Sequence, residues 1–490
     1  PVQIKGGAGS GKTTVSVFRA KHLSFTQENI FQNKKIIILT YTNALVKELK
    51  NIIPHAYAGY EKNSDNLNQK SFGLDVEVKT VHKWATEFLK SVGIDYKFIS
   101  KSAQRNIIKN FIDELQNQER FEKIPKILKH KIDFYVSEIK FMKGKMLFTL
   151  NDYLDSKRIG RGTDIRVTQE DKKVIYEIFL HYENELNLRG LDDFDSVLIK
   201  TYNFLKKNNI RNIFSHIVVD EAQDLPLIVF LILKQIISEF TNSITLVGDA
   251  NQKIYTSGFT WKEVGIDVIG RTVELKENLR TTKKIHRISQ LLIANNEDFN
   301  PSRASIPHKN QNDGEYPKIY HSGNLNTQFQ KAINVLNSIN PKLEDRIAFI
   351  HRHNSKINDM FELIKNKNYF SCSDIHPNKN RSFRGKSKIN ILLSTMHSVK
   401  GLNLDYVFIF DVQDGTIPYL KGKEDNSLDF ERNLLYVCIT RPTKNFFIFT
   451  NGGEKSSFIR EIEESKDLII EQDKDNNIND KILTADDLPF

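Results

Sequence analysis

The sequence predicts an α/β protein with two parallel-sheet domains and one helical insertion. Seven short runs rich in β-branched and aromatic residues recur between helical stretches: "KIIILT" (35–40), "HIVVDE" (216–221), "SITLVGD" (243–249), "RIAFI" (346–350), "INILLST" (389–395), "DYVFIF" (405–410) and "KNFFIFT" (444–450). Their nearly unbroken apolar character suits strands covered on both faces. Between about 95 and 190 the pattern changes to long charged segments such as "AQRNIIKNFIDELQNQERFEKI", which read as helices. A chain of 490 residues exceeds what one core supports.

The first element is a short strand over Val2–Lys5, which feeds "GGAGSGKTT". Gly6 through Gly11, Lys12 and Thr13 fit G-x-x-x-x-G-K-[ST], followed by a helix, which is the context this motif needs. Glycines let successive N–H groups face phosphate oxygens, and the helix N-terminus adds a favourable dipole. Gly6, Gly7, Ala8, Gly9, Ser10, Gly11, Lys12, Thr13 and Thr14 are therefore the candidate phosphate cradle. Lys12 is expected on the β/γ-phosphates and the Thr13 hydroxyl on Mg²⁺.

The second chemical element is "IVVDEAQD" (217–224), an apolar strand ending in two carboxylates. Asp220 is expected beside the metal. Glu221 is expected beside the γ-phosphate, where it can orient and deprotonate a water. Alone, Asp-Glu after a strand is commonly just solvated; paired with the loop it reads as a triphosphate hydrolase.

Composition bounds the partner. Lys plus Arg number 71 against 61 Asp plus Glu, a formal +10. Residues 456–490 hold ten acidic and four basic residues, so they carry −6 and the body carries +16. A basic body suits a polyanion such as nucleic acid, although a Lys- and Asn-rich genome produces the same excess. Two distant cysteines, Cys372 and Cys438, argue against a disulfide framework or zinc cluster and fit a reducing cytoplasm. No apolar run approaches membrane-spanning length, so no membrane partner is expected.

Nine ordered segments carry a resemblance: "GGAGSGKTT", "ILTYTN" (38–43), "TVHKW" (80–84), "DDFDSVL" (192–198), "VVDEAQD", "LVGDANQKIY" (246–255), "LKENLRTT" (275–282), "STMHSVKGLNLDYV" (394–407) and "LLYVCITRPTKN" (434–445). Together they resemble the UvrD/Rep/PcrA group of superfamily 1 helicases over nearly all of residues 1–450. The resemblance implies two RecA-like domains around one ATP: the first from 1–95 and 190–282, the second from 283–455. It also implies a helical 1B-type insertion over 96–189, and the sequence ends in an acidic tail from 456 to 490.

By the resemblance, Gln252 corresponds to a γ-phosphate sensor. Arg280 and Arg441 correspond to arginines that reach the γ-phosphate across the cleft, and Gly401 joins the nucleotide contacts. Guanidinium groups in that role stabilise transition-state charge. Tyr41, Asn43, His82, Tyr255, Thr395 and His397 match single-strand contacts, whose stacking and phosphate bonding suit sequence-independent tracking. The family's stacking tryptophan position is Ser257 here. Phe259 and Trp261 follow it, and either they take the stacking role or they pack the core.

Other departures concern the base and the accessory domains. The adenine-stacking tyrosine is replaced by Leu279 and a glutamate near the ribose by Asn403, while the glutamine segment that reads adenine lies outside this sequence, so more chain is expected before Pro1. Only about forty residues separate "RIAFIHRHN" from "STMHSVKG", roughly one helix and one strand where the family has its 2B insertion. "KILKHKIDFYVSEIKFMKGK" (126–145) is basic with interleaved aromatics, fitting either phosphate contacts or a solvated helical face. Its Glu138–Lys140 triplet is very weak evidence for a nuclease.

The resulting expectation is an ATP- and Mg²⁺-dependent motor on single-stranded DNA, moving 3′ to 5′ as the family implies. Alternatives are an RNA-directed helicase, an ATP-switch subunit regulating a partner nuclease, for example in antiphage defence, and a non-catalytic scaffold. The last is disfavoured by the complete hydrolytic set.

Overall fold

The computed structural model describes every residue outside 27–34, 59–75, 120–123, 157–166, 250–260, 262, 298, 300, 302–303, 369, 376–381, 420–427, 452, 454 and 473–490. The chain opens with β1 (Val2–Gly6), α1 (Lys12–Thr26), β2 (Ile36–Thr40), α2 (Asn43–Ala58), β3 (Val76–Thr80) and α3 (Val81–Ser91). Four helices come next: α4 (Lys101–Gln116), α5 (Ile132–Gly144), α6 (Leu150–Asp155) and α7 (Gln169–Leu188). The chain then returns through α8 (Phe194–Lys207), β4 (His216–Val219), α9 (Leu227–Ile236), β5 (Ser243–Gly248) and β6 (Thr272–Leu275). The first sheet runs β3-β2-β4-β5-β1-β6, all parallel. β2 and β4 are buried at every position, as their unbroken apolar runs require.

From the first sheet the chain passes through β7 (Glu277–Asn278), α10 (Lys283–Ile293) and β8 (Ile306–Pro307) into the second domain. The elements there are β9 (Lys318–His321), α11 (Leu325–Ile339), β10 (Ile347–His351), α12 (Asn354–Lys367), β11 (Ser371–Asp374), β12 (Ser382–Phe383), β13 (Asn390–Thr395), β14 (Leu404–Ile409), α13 (Leu428–Ile439), β15 (Pro442–Thr450), α14 (Ser457–Ile462) and β16 (Ile469–Gln472). Strand order in this second sheet is β12-β11-β13-β10-β14-β15-β9-β16, parallel except for β11 with β12. All seven sequence-predicted strands, and the one before the glycine loop, are present. Where the 2B insertion would sit, α12, β11 and β12 are found, one strand more than expected.

The acidic tail expected from residue 456 begins as folded structure. Its first part forms α14, whose Phe458, Ile459 and Ile462 are buried, and β16, which pairs with β9. Net charge concealed this, because the apolar residues lie between the acidic ones.

The four insertion helices enclose their own core of Ile108, Leu115, Phe134, Tyr135, Phe179 and Tyr182. Thr149 with Asp152 and Thr168 with Asp171 form capping boxes that start α6 and α7. The insertion leaves and rejoins the first domain at one place, where Phe98 and Asp192 form a parallel bridge. The aromatics of the basic segment, Phe134, Tyr135 and Phe141, belong to this core, while Lys126, Lys129, Lys131 and Lys140 are exposed. Glu138 is buried and accepts a hydrogen bond from Tyr153 at 2.8 Å, which gives the carboxylate of the weak nuclease triplet a structural role.

Lys143 is fully buried where α5 meets α8, donating to Glu183 (2.7 Å), Asp193 (2.8 Å) and Ser196 (2.6 Å). Two carboxylates hold its pKa up against burial. Removing one partner strands buried charge. We expect Lys143→Met to destabilise the fold by about 3–5 kcal/mol, read as a lowered denaturation midpoint in urea; a midpoint within error of the parent would contradict this account.

Candidate active site and nucleic-acid face

The loop between β1 and α1 is closed against the segment that carries β7. Gly9 has φ +72°, and a Cβ there would lie 2.8 Å from Asn278 Oδ1 and 2.9 Å from Arg280 Cβ, so only glycine fits. Asn278 Nδ2 donates to the Ala8 carbonyl at 2.9 Å, and the Leu279 N–H donates to the Gly9 carbonyl at 2.8 Å. Asn278 Oδ1 accepts from the N–H groups of Arg280 and Thr281. The segment bearing Arg280 is thereby stitched to the loop. Lys12 Nζ donates to the carbonyls of Gly6 (2.9 Å) and Gly7 (2.7 Å) and lies 3.6 Å from Asp249 Oδ2.

At the end of β4, Asp220 is fully buried. Its Oδ1 accepts the Glu221 N–H at 3.1 Å, whereas Oδ2 has no hydrogen-bond partner. Burial, then the adjacent Glu221, raise its pKa to about 7; the nearby Thr13 hydroxyl lowers it without closing a bond of good geometry on Oδ2. An orphaned carboxylate oxygen beside a hydroxyl is a hard-oxygen donor set of the kind Mg²⁺ takes, so Thr13 and Asp220 fit the ion.

Glu221 adopts the left-handed region, φ 54° and ψ 41°, uncommon for a residue with a Cβ and frequent at functional turns. Gln223 Nε2 donates to its carboxylate at 2.5 Å, and Gln223 Oε1 accepts the Asp249 N–H at 3.1 Å. Burial pushes the Glu221 pKa up, but Lys400, Lys12, the Gln223 hydrogen bond and Arg441 outweigh it and hold the group ionised.

Arg280 and Arg441 come from the two domains and meet here. Arg441 is fully buried, with Nε donating to the Val437 carbonyl at 2.9 Å. Burial and mutual repulsion lower the Arg280 pKa, while Glu221, Glu48 and Asp220 oppose the shift. Burial also lowers that of Arg441, opposed by Glu221 and Asp249 among others. Lys12 is lowered by burial and by both arginines, against Asp249 and Glu221. Lys12, Asp220, Glu221, Arg280 and Arg441 thus form one charged cluster. Gln252 lies outside the described residues.

The domains are fastened across this cluster. Ala8 of the loop packs into the second-domain core beside the buried Tyr436. Lys400 Nζ pairs with Asp224 at 2.6 Å, and Arg346 with Glu48 at 3.0 Å. Asn403, the substituted ribose position, donates to Glu48 at 3.3 Å. Gly401, φ +83°, backs onto Leu45, and a Cβ there would come within 3.2 Å of that side chain. Leu279, the substituted stacking position, is 61% exposed.

On the expected nucleic-acid face, Tyr41 is half-buried against the first-domain core, and burial, Asp224 and Asp195 raise its hydroxyl pKa. Asn43 is exposed at the start of α2. His82 packs edge-on to Phe194 at 5.6 Å; burial and Lys140 lower its pKa to about 4, leaving it neutral. Thr395 Oγ1 hydrogen-bonds Ser398 Oγ at 2.9 Å, and His397 lies 6.1 Å from the Phe430 ring. Trp261, partly buried, packs edge-on to buried Phe230 at 4.9 Å against the first-domain core. Tyr255 and Phe259 lie outside the described residues.

Sequence reasoning passed over several residues that the geometry singles out. Asn278, Asp224 and Lys400 stood inside the motifs above, yet their partners are distant in sequence. Phe194, 58% exposed and stacked on Phe98 at 4.7 Å, extends the aromatic surface from His82. Its signal was an aromatic flanked by Asp193 and Asp195, where an apolar core residue would be poorly placed.

The UvrD/REP helicase N-terminal domain matches residues 1–264, and the UvrD-like helicase C-terminal domain matches residues 368–452. A Mycoplasma capricolum protein named Probable DNA helicase II homolog is 30% identical over 318 residues, covering 61% of this chain and 39% of that protein. A Mycoplasma pneumoniae protein named Probable DNA helicase is 23% identical over 491 aligned positions, covering 94% and 84%. The ATP-dependent DNA helicase PcrA of Staphylococcus aureus is 25% identical over 324 residues, covering 61% and 39%. The chain therefore spans 39% of the length of two of these relatives. Since the N-terminal domain alone accounts for 264 of the 490 residues, the chain belongs to the UvrD/Rep helicase family.

Proposed function

We propose that this chain is an ATP-driven motor that moves along single-stranded DNA in the 3′ to 5′ direction. The observation that carries this reading is the charged cluster of Lys12, Asp220, Glu221, Arg280 and Arg441, with groups from both domains, in which Lys400 of the second domain lies 3.7 Å from Glu221 of the first. In this reading 1–95 and 190–282 form the first RecA-like domain and 96–189 the 1B-type insertion. The second RecA-like domain runs from 283 and includes β16. Thr13 and Asp220 would hold Mg²⁺, which would supply Lewis-acid charge neutralisation to the triphosphate. Lys12 would exchange the loop carbonyls for phosphate oxygens. Glu221, kept ionised by its cationic neighbours, would take a proton from water. Arg280 and Arg441 would stabilise charge on the transferred group, so that turnover depends on closure. Tyr41, Asn43, His82, Phe194, Thr395 and His397 would hold the strand.

Glu221→Gln should retain fluorescent-nucleotide binding and lose at least ~10²-fold in kcat, as expected for a positioned base. Arg280→Ala and Arg441→Ala should depress kcat far more than they raise KM. Near-normal turnover in the glutamine variant, or a change confined to KM in an arginine variant, would remove that residue from its role.

Oligo(dT) should raise ATPase activity, and the gain should fade with added salt because phosphate contacts release counterions. A rate indifferent to oligo(dT) would favour a switch subunit instead, and stronger stimulation by oligo(U) an RNA-directed motor.

Between β10 and β13, where the family has its 2B insertion, the described elements are α12, β11 and β12 of the second domain. The chain should therefore displace streptavidin from the end of a single strand yet unwind a 3′-tailed duplex of a few turns poorly. Processive unwinding by residues 1–490 would show that a duplex-engaging element exists elsewhere in the chain.

A further inference from the structure

The two sheets are built to one plan. The order β3-β2-β4-β5-β1-β6 in the first recurs as β13-β10-β14-β15-β9-β16 in the second, so that β1 to β6 have β9, β10, β13, β14, β15 and β16 as counterparts in the same chain order. The likeness extends into the turn after β4 and after β14. The Asp220 N–H donates to the Leu39 carbonyl at 2.8 Å, and the Phe410 N–H donates to the Ile350 carbonyl at 3.0 Å. One residue later Glu221 and Asp411 both enter the left-handed region, with φ 54° and 53°. Two residues further on, Gln223 Oε1 accepts the Asp249 N–H and Gln413 Oε1 accepts the Asn451 N–H, each at 3.1 Å. Both donors stand just beyond the neighbouring strand, β5 in one domain and β15 in the other. A glutamine therefore braces the same left-handed turn twice in this chain.

The acidic side chains that the two turns carry are held differently. Asp411 is engaged by its own surroundings, through His351 Nε2 at 2.9 Å and Gln328 Nε2 at 3.0 Å. Glu221 is engaged by the brace itself, since Gln223 Nε2 donates to its Oε2 at 2.5 Å. Room for that arrangement comes from Gly248, where a Cβ would lie 2.4 Å from Gln223 Oε1; the residue at the corresponding end of β15 is the buried Thr450. We propose that Gln223 is a positioning residue for hydrolysis, anchored on the end of β5 by its carbonyl and aiming the Glu221 carboxylate with its amide. The inference rests on the hydrolytic role given to Glu221 above. A glutamate side chain has three rotatable bonds, and a left-handed backbone fixes none of them. An amide tied to a strand end fixes the carboxylate. Gln223 and Lys400 both address Oε2, which leaves Oε1 to take the proton from water.

The test measures steady-state ATPase and fluorescent-nucleotide binding in the 490-residue chain and in five variants. Gln223→Met, close to the parent in shape, should lose at least ~10-fold in kcat, the scale set by a small misplacement of a reacting group. Its KM and nucleotide affinity should stay within ~3-fold of the parent, because the loss falls on the reacting state alone. Gln413→Met gives up the same strand-end bond in the second domain and should keep kcat within ~2-fold, as expected of a change distant from the reacting groups. Gly248→Ala displaces the amide without removing it and should also lower kcat by at least ~10-fold. It decides the matter if Gln223→Met fails to fold. Added to Glu221→Gln, Gln223→Met should cost less than ~2-fold more, because it acts through that carboxylate; independent damage would compound. Parent-like kcat in Gln223→Met or Gly248→Ala, equal losses in Gln413→Met, or compounded losses in the double variant each overturn the positioning role. Near-normal turnover in Glu221→Gln overturns the hydrolytic role of Glu221 itself, and the positioning with it.

Discussion

Crowding of buried charge around the glycine loop governs this structure. Lys12, Arg280 and Arg441 face Asp220, Glu221 and Asp249 in a space largely withdrawn from water. Desolvation of isolated ions costs more than their pairwise attraction returns unless geometry and hydrogen bonding are good. The shifts record that tension: the pKa values of all three cations are lowered and that of Asp220 is raised. A polyphosphate with its divalent cation would relieve each of them at once, the cation serving Asp220 and the phosphates the basic groups. Glu221 is the exception, ionised without help from any ligand, which is the state a proton acceptor needs.

The same crowding explains why the domains meet where they do. The first domain supplies Lys12, Asp220, Glu221 and Asp249, and the second adds Arg441 and Lys400. Asn278 and Leu279 bind the loop by hydrogen bonds; Ala8 and Tyr436 bring the second core against it. Farther out, Arg346–Glu48 closes the rim. Arg352, in a buried bidentate pair with Glu431 at 3.0 and 2.6 Å, ties the end of β10 to α13, the helix that bears Tyr436 and leads directly to Arg441. The second domain thus presents its groups from a braced helix.

Strands and hydrolytic residues were legible in the sequence because their signals are local: an apolar run before two carboxylates, or a glycine octet before a helix. What escaped was set by pairings across long separations. Lys400 and Asp224 are 176 residues apart, and only the fold shows that one meets the other. Trp261 has two readings because an amphipathic ring serves core and surface alike, and its edge-on contact with Phe230 shows the core side of it. The aromatics of the basic segment misled in the same way, since interleaving with lysines is also what an amphipathic helix displays. Net charge hid α14 and β16, being an average that ignores where apolar residues fall.

The pairing of β16 with β9 makes the C-terminal stretch part of the second sheet's integrity. β9 pairs with β15 on one side and β16 on the other. Arg287 of α10 adds a bidentate bond to Asp467 at 2.6 and 2.7 Å, clasping the approach to that last strand. A chain cut after β15 would leave the backbone donors and acceptors on one side of β9 unsatisfied, an open template for another strand. Self-association would then result from shortening the protein, with nothing altered in its nucleotide cleft.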